Sequence, residues 1–265
     1  MTEYAGAQKG TDASSRLPLA EAVHHFSPEV LLTAASDPAL SEDLALILLK
    51  RNDLPSLVLE RLSQNSGLTK SRELKVALVE HLKTPRHVSL PIVRHLFTFD
   101  LMKIGLKPAT PADVKAAAHE ALIKRLETIS LGERLSLARQ ASGAVAGALL
   151  LDKEARVVEA ALENPQLTET LIVKAILQPN SSEALVEAVC HHHKWSLRRE
   201  IRMAMLRHEQ AGPVRAAVIA RELPAAIVHE VLQNARLPED VRLVLERRLE
   251  EDSALEISES TSNEE

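Results

Sequence analysis

The chain repeats itself at a fixed distance, and this limits what it can fold into more than any other feature. "RELKVALVEH", from Arg72, reads like "REIRMAMLRH", from Arg199, an offset of 127 residues. Sliding the whole sequence by 127 lays Val30 to His81 on Val157 to His208 without a gap. Val30, Ala34, Pro38, Leu40, Glu42, Leu44, Glu60, Arg72, Glu73, Ala77 and His81 each meet an identical residue. Average composition yields about three to five such matches over a span of this length. Asp37 with Asn164, Ser41 with Thr168, Leu74 with Ile201 and Lys75 with Arg202 are conservative pairs. The match fades near Pro85 and Pro213 and returns in register, where "TPADVK" at Thr110 meets "LPEDVR" at Leu237. The spacing predicts two tandem copies.

Each copy is built from shorter units. "SDPALSEDLALILLKR" and "ENPQLTETLIVKAILQ" share a small polar residue before Pro and a Leu two positions later. Ser41 or Thr168 then precedes Glu42 or Glu169, which places a hydroxyl to cap the next helix and an acid at the positive end of its dipole. Related marks recur at "NDLPSLV", "KTPRHV", "ATPADV", "GPVRAA" and "RLPEDV", where Pro suits a helix start because its missing N–H has no partner there anyway. Apolar positions at helical spacing lie between the marks, such as Ile201, Ala204 and Met205, or Val241, Val244, Leu245 and Leu249. Aromatics are 2% of the residues, so Leu, Val, Ile and Ala must fill the core. The aromatic and β-branched enrichment of strands is missing. The expected fold is all-α: an α-solenoid of stacked helical hairpins, in helices of about 10 to 14 residues, built from two tandem copies. Two separate helical bundles are the alternative. The join "ISLGERLSLARQASGAVAG" favours one array, since it is apolar at helical spacing and lacks linker composition. The expected organisation is a tail over 1–16, a first copy over 17–130, a second over 131–250 and an acidic tail over 251–265.

The phrase "ENPQLTETLIVKAI", with Asn164–Pro165 followed by Leu167, resembles bacterial leucine-rich repeat variant and HEAT-like helical repeat proteins. The resemblance covers Val157 to Arg207 well and the rest loosely. The first copy departs from it, with Asp37 in place of the Asn and an unmatched "FTFDLMKIGLKP". It implies a curved superhelix of short helices that binds another macromolecule. It implies no catalytic residues, and the iron–sulfur cysteines of some such proteins are absent.

The net charge of −5 describes the ends more than the body. "EEDSALEISESTSNEE" carries seven acids and no base, and the segment to Ser15 a net −1, so the rest is +3. Both ends are too poor in apolar residues to offset the entropy of ordering. The single Cys excludes an internal disulfide framework and fits a reducing compartment. The first residues lack the apolar stretch of a signal peptide. The longest apolar run, "GAVAGALLL", falls far short of the ~20 residues that span a bilayer. The expectation is a cytoplasmic protein with no membrane partner.

Local chemistry is sparse. In "CHHHKW", Cys190 to Trp195, a thiol and three imidazoles are metal-ligand types. Consecutive helical residues diverge by about 100°, so a helix C-terminus that favours His is the simpler reading, and no metal or other cofactor is expected. A Cys190–His191 nucleophile lacks a third group to orient the ring. Trp195 is either inter-repeat core, as Leu68 at the matching position argues, or a partner-binding anchor. Lys194, Arg198, Arg199, Arg202 and Arg207 face a single acid, Glu200, and Arg198 and Arg202 stand at i, i+4. Lys194, Trp195, Arg198 and Arg202 are therefore the candidate partner-binding residues, against the alternative of an ordinary solvated face. Gly143 and Gly147 read as close helix packing or a break between copies, since a phosphate loop needs further glycines and a Lys–Ser/Thr pair. The expected function is a non-enzymatic scaffold that binds another protein along its helical face. The alternative is a nucleic-acid binder using the basic Lys194–Arg207 face, although almost no aromatics are present to stack on bases.

Overall fold

The computed structural model describes residues 17–208, 212–234 and 237–262, with side chains as far as residue 254. Among these residues there are seventeen helices and no strand. The fold is all-α. The expected 1–16 tail lies outside the described residues.

The chain divides into two compact units, the first through Ala118 and the second from His119. The first holds α1 (Leu19–Ala22), α2 (Pro28–Ser36), α3 (Glu42–Leu49), α4 (Ser56–Gln64), α5 (Arg72–Glu80), α6 (Arg86–Val93) and α7 (Thr98–Leu106). The division falls inside α8 (Ala112–Arg125). The second holds α9 (Leu131–Gln140), α10 (Gly143–Leu149), α11 (Ala155–Leu162), α12 (Glu169–Ile176), α13 (Glu183–His191), α14 (Arg199–Leu206), α15 (Pro213–Arg221), α16 (Ala225–Asn234) and α17 (Glu239–Ser262). The acidic stretch expected as a tail from residue 251 is helical as far as Ser262. Its Glu, Leu and Ala are strong helix formers that extend α17 from its start.

Most helices are shorter than the ten to fourteen residues expected; α2 to α7 have eight or nine. Helices so short are marginal alone, so their stability comes from packing. Caps set several starts. Ser41, Ser71 and Ser182 accept from the backbone N–H three residues on, and Ser130 with Glu133 forms a full capping box. Thr168, expected to cap like Ser41, makes no side-chain bond to its helix.

In each unit several helices rest on the one two places along. The pairings α2 with α4 and α3 with α5 build the first unit; α9 with α11, α11 with α13, α10 with α12, α12 with α14 and α15 with α17 build the second. Polar side chains lock the ends. Asn65, just past α4, donates to the carbonyls of Ala35 and Asp37 at the end of α2, and its oxygen accepts from Gly67 N–H. His81, just past α5, bonds the Arg51 carbonyl beyond α3 and accepts from Lys83 N–H. Arg72 at the start of α5 grips Asp100 in α7 through two bonds, and Lys107 past α7 reaches Glu80 at the end of α5. Like ends therefore meet like ends. Between the helices lies a core of Leu, Val and Ala, including Leu31, Leu48, Leu59, Leu62, Leu74 and Leu78, each at most 2% exposed. Among the described residues Trp195, in the second unit, is the one buried Phe, Tyr or Trp side chain, and all three Phe are exposed.

The register of the sequence reappears in the helices. The first residues of α2 to α8, at 28, 42, 56, 72, 86, 98 and 112, are each followed 127 residues later by the first residues of α11 to α17.

A candidate groove on the second unit

Three neighbouring helices, α9, α11 and α13, line a groove of about 820 Å³. Their register is fixed at one end. Asn164, just past α11, donates to the Ala138 and Ala141 carbonyls at the end of α9 and accepts from Gln166 N–H. The space exists because Ala155, Ala160, Ala184 and Ala188 line it. Arg139, Arg156, Glu159, Glu163 and Glu187 supply charge, with His191 to His193 at the far end of α13. Glu159 and Glu187 are exposed and have no ion pair among the described residues. Sequence reading missed these residues. The signal was there: Ala155, Glu159 and Glu163 stand at i, i+4, as do Glu183, Glu187 and His191, a polar face continued over neighbouring helices.

The matching place in the first unit is also hollow, at about 420 Å³, lined by Leu32, Thr33, Ser36, Asp37, Pro38 and Arg61. In the 127-residue register these correspond to Glu159, Ala160, Glu163, Asn164, Pro165 and Ala188. The backbone hollow is repeated and its chemistry is changed.

The "CHHHKW" run straddles the end of α13. His191 closes the helix, with its Nδ1 at 2.9 Å from the Glu187 carbonyl. His192 caps it and accepts at Nδ1 from the Lys194 N–H at 3.1 Å. Its Nε2 lies 3.2 Å from Glu163 Oε1, within ion-pair range but off hydrogen-bond direction. Burial pushes the imidazole pKa down, opposed by Glu163 and assisted by His193 and Lys194. Nδ1 is committed as an acceptor, which leaves Nε2 as the ring's donor nitrogen. His193 stacks on it with centroids 4.7 Å apart. Glu163, His192 and His193 bring ligand-type atoms within 4.8 Å of one another. That trio does not suit a metal as it stands. A metal-bound Nε2 needs Nδ1 protonated and donating, and here Nδ1 faces an N–H.

Trp195 is 3% exposed and donates from Nε1 to the Leu162 carbonyl at 2.9 Å. It is interior and is corrected from candidate anchor to structural donor. The register shows why. Leu162 matches Ala35, whose carbonyl is served in the first unit by Asn65. At Asn65's position the second unit has His192, turned to Glu163, and the indole of Trp195 takes over the carbonyl. Of the other candidates, Arg202 is spent on the Ser196 and Glu222 carbonyls and the Glu222 carboxylate. Lys194 lies over the Trp195 ring at 3.9 Å. Arg198 is exposed with no ion pair among the described residues, whereas Arg199 reaches Glu230 at 3.6 Å. The candidates thus do not form one free cationic face.

Cys190 is half-buried and donates to the Met205 sulfur at 3.4 Å; burial raises its thiol pKa, which keeps it protonated and a poor nucleophile. Gly143 brings α10 against the turn before α12: a Cβ there would meet the Gln166 carbonyl oxygen at 2.2 Å. Among the described residues no helix is long and apolar enough to cross a membrane. No protein-family profile, curated protein or solved structure matches the chain.

Proposed function

We propose that the chain is a non-enzymatic α-solenoid scaffold, made of two tandem copies of stacked helical hairpins, that binds another protein along the outer face of its helices. Three observations support the architecture: helices resting on the one two places along, like ends bonded to like ends, and seven helix starts recurring at 127 residues. The observation that carries the function is the repeated hollow. Where the first unit offers Leu32, Ser36 and Arg61, the second offers Glu159, Glu163 and Ala188, on helices kept in register. A frame held fixed while its open surface changes charge suits binding that is set by surface chemistry.

A nucleic-acid reading draws less support, since Arg202 is neutralised by Glu222 and Arg199 faces Glu230. The test is co-purification of the native protein from its host with an Ala184→Arg/Glu187→Arg variant alongside. Both sites are exposed, so the fold is expected to survive. A specific protein partner that the native chain recovers and the variant loses is the expected result. Equal recovery by both, or recovery of nucleic acid alone with a steep salt dependence, overturns the reading.

A further inference from the structure

The two units differ at one stripe of helix surface. On α11 and just past it, Val157, Ala160, Ala161 and Asn164 are 0, 7, 0 and 2% exposed, and α9 packs on this helix. The matching stripe on α2 is Val30, Thr33, Ala34 and Asp37. There Val30 and Asp37 are half-buried and Thr33 is exposed. Among the described residues of the first unit, Leu17, Leu19 and Ala22 with α2 line a mainly apolar slot of about 320 Å³. In register, residues 4–13 stand for α9, yet they have Gly10 and Thr11 where α9 buries Leu137 and Ala138. The segment lacks the side chains that seal the second unit.

The charges at the slot have also changed. Glu29 replaces Arg156 and Asp37 replaces Asn164. In the second unit the Asn164 amide donates to the last carbonyls of α9. Asp37 uses one carboxylate oxygen to accept from Ala39 N–H and has nothing to donate. A helix laid down as α9 is would point its negative end at this carboxylate. The slot thus asks for positive charge: a cationic side chain, or the N–H groups of a helix start. Glu29 and Asp37 lie two turns apart, about 12 Å, one at each end of the Val30–Ala34 stripe, and neither has an ion pair among the described residues.

We propose that the α1–α2 edge of the first unit is the docking slot for a cationic amphipathic helix of a partner protein, which takes the place that α9 fills in the second unit. The proposal rests on the scaffold reading and names the partner's chemistry. The probe is a pair of stapled helical peptides of about 14 residues, ~21 Å long, sharing one Leu/Ala stripe and flanked by Lys in one and Glu in the other. Fluorescence anisotropy with the full chain at low salt is expected to show the Lys peptide binding at least ~10-fold tighter, with the preference shrinking as salt screens it. Val30→Glu, and Thr33→Glu at an exposed position, should each abolish binding with unchanged circular dichroism. Glu29→Lys/Asp37→Lys should reverse the preference. Equal affinity for the two peptides, or binding that survives both stripe variants, overturns the proposal. So does binding seen only after deletion of residues 1–16, which gives the slot to the chain's own segment. If the slot fails while groove-dependent partner recovery holds, the scaffold reading stands without it.

Discussion

Gly143→Ala tests the closest backbone approach in the second unit. The new Cβ would sit 2.2 Å from the Gln166 carbonyl oxygen and 3.2 Å from its carbon. Relief needs a shift of about 1 Å, because carbon and oxygen rest at roughly 3.2 Å or more. The atom in the way is backbone and cannot rotate aside. It belongs to the turn pinned by Asn164, whose amide bonds Ala138 and Ala141 and whose oxygen holds Gln166 N–H. Overpacking costs about 1–3 kcal/mol, and straining one of those bonds adds about 1 kcal/mol. The expected loss is about 2–4 kcal/mol, or roughly 5–12 °C in melting temperature for a unit of this size. Gly147→Ala is the paired control. Its Cβ would meet Leu171 side-chain carbons at 3.4 Å, an ordinary contact, inside α10. There Ala gains helix propensity of about 0.5–1 kcal/mol, so this variant should be neutral or slightly stabilised. Urea and thermal unfolding followed by circular dichroism read both. A Gly143→Ala protein melting within about 2 °C of the parent would falsify the close approach, and with it the seating of α10 against the α11–α12 turn.

Three further outcomes follow from the same contacts. Trp195→Phe leaves the buried Leu162 carbonyl without its donor and should cost about 1–3 kcal/mol in urea unfolding. Adding His192→Asn should recover part of it, since Asn65 serves the matching carbonyl of Ala35; a double variant no better than the single refutes the exchange of roles. Asn164→Asp removes both donations to α9 and should lower stability by about 2–3 kcal/mol, measured as a fall in the urea midpoint at constant slope. His192, with its pKa lowered by burial, binds its proton more weakly folded than unfolded. Its neutral form therefore contributes fully above the ordinary imidazole range near pH 6.5. That contribution is lost as pH falls through and below it. His192→Asn should flatten the decline in melting temperature between about pH 7 and 5, and an unchanged slope would place the titration elsewhere.

How far the sequence reaches can be judged residue by residue. The 127-residue register, the all-helical class and most turn positions were legible in it. They depend on local rules: apolar spacing that repeats every helical turn, Pro and Ser where chain N–H groups lack partners, and a core composition without rings. Gly143 was legible as a close approach for the same reason, since only a missing side chain lets backbones meet. The roles of Trp195, Arg202 and His192 were not. Each is decided by a group some 20 to 33 residues away: the Leu162 carbonyl, Glu222 and Glu163. A run of three histidines beside a thiol looks like a ligand set in one dimension; in three it is a helix end whose first free ring accepts a backbone N–H. The groove alanines and glutamates were likewise unreadable as a site, because a hollow belongs to the spacing between α9, α11 and α13 and to no segment alone. What the chain wrote directly was its periodicity, which neighbouring residues enforce. What tertiary structure decided was which polar atoms found partners between helices, and therefore which were left facing outward.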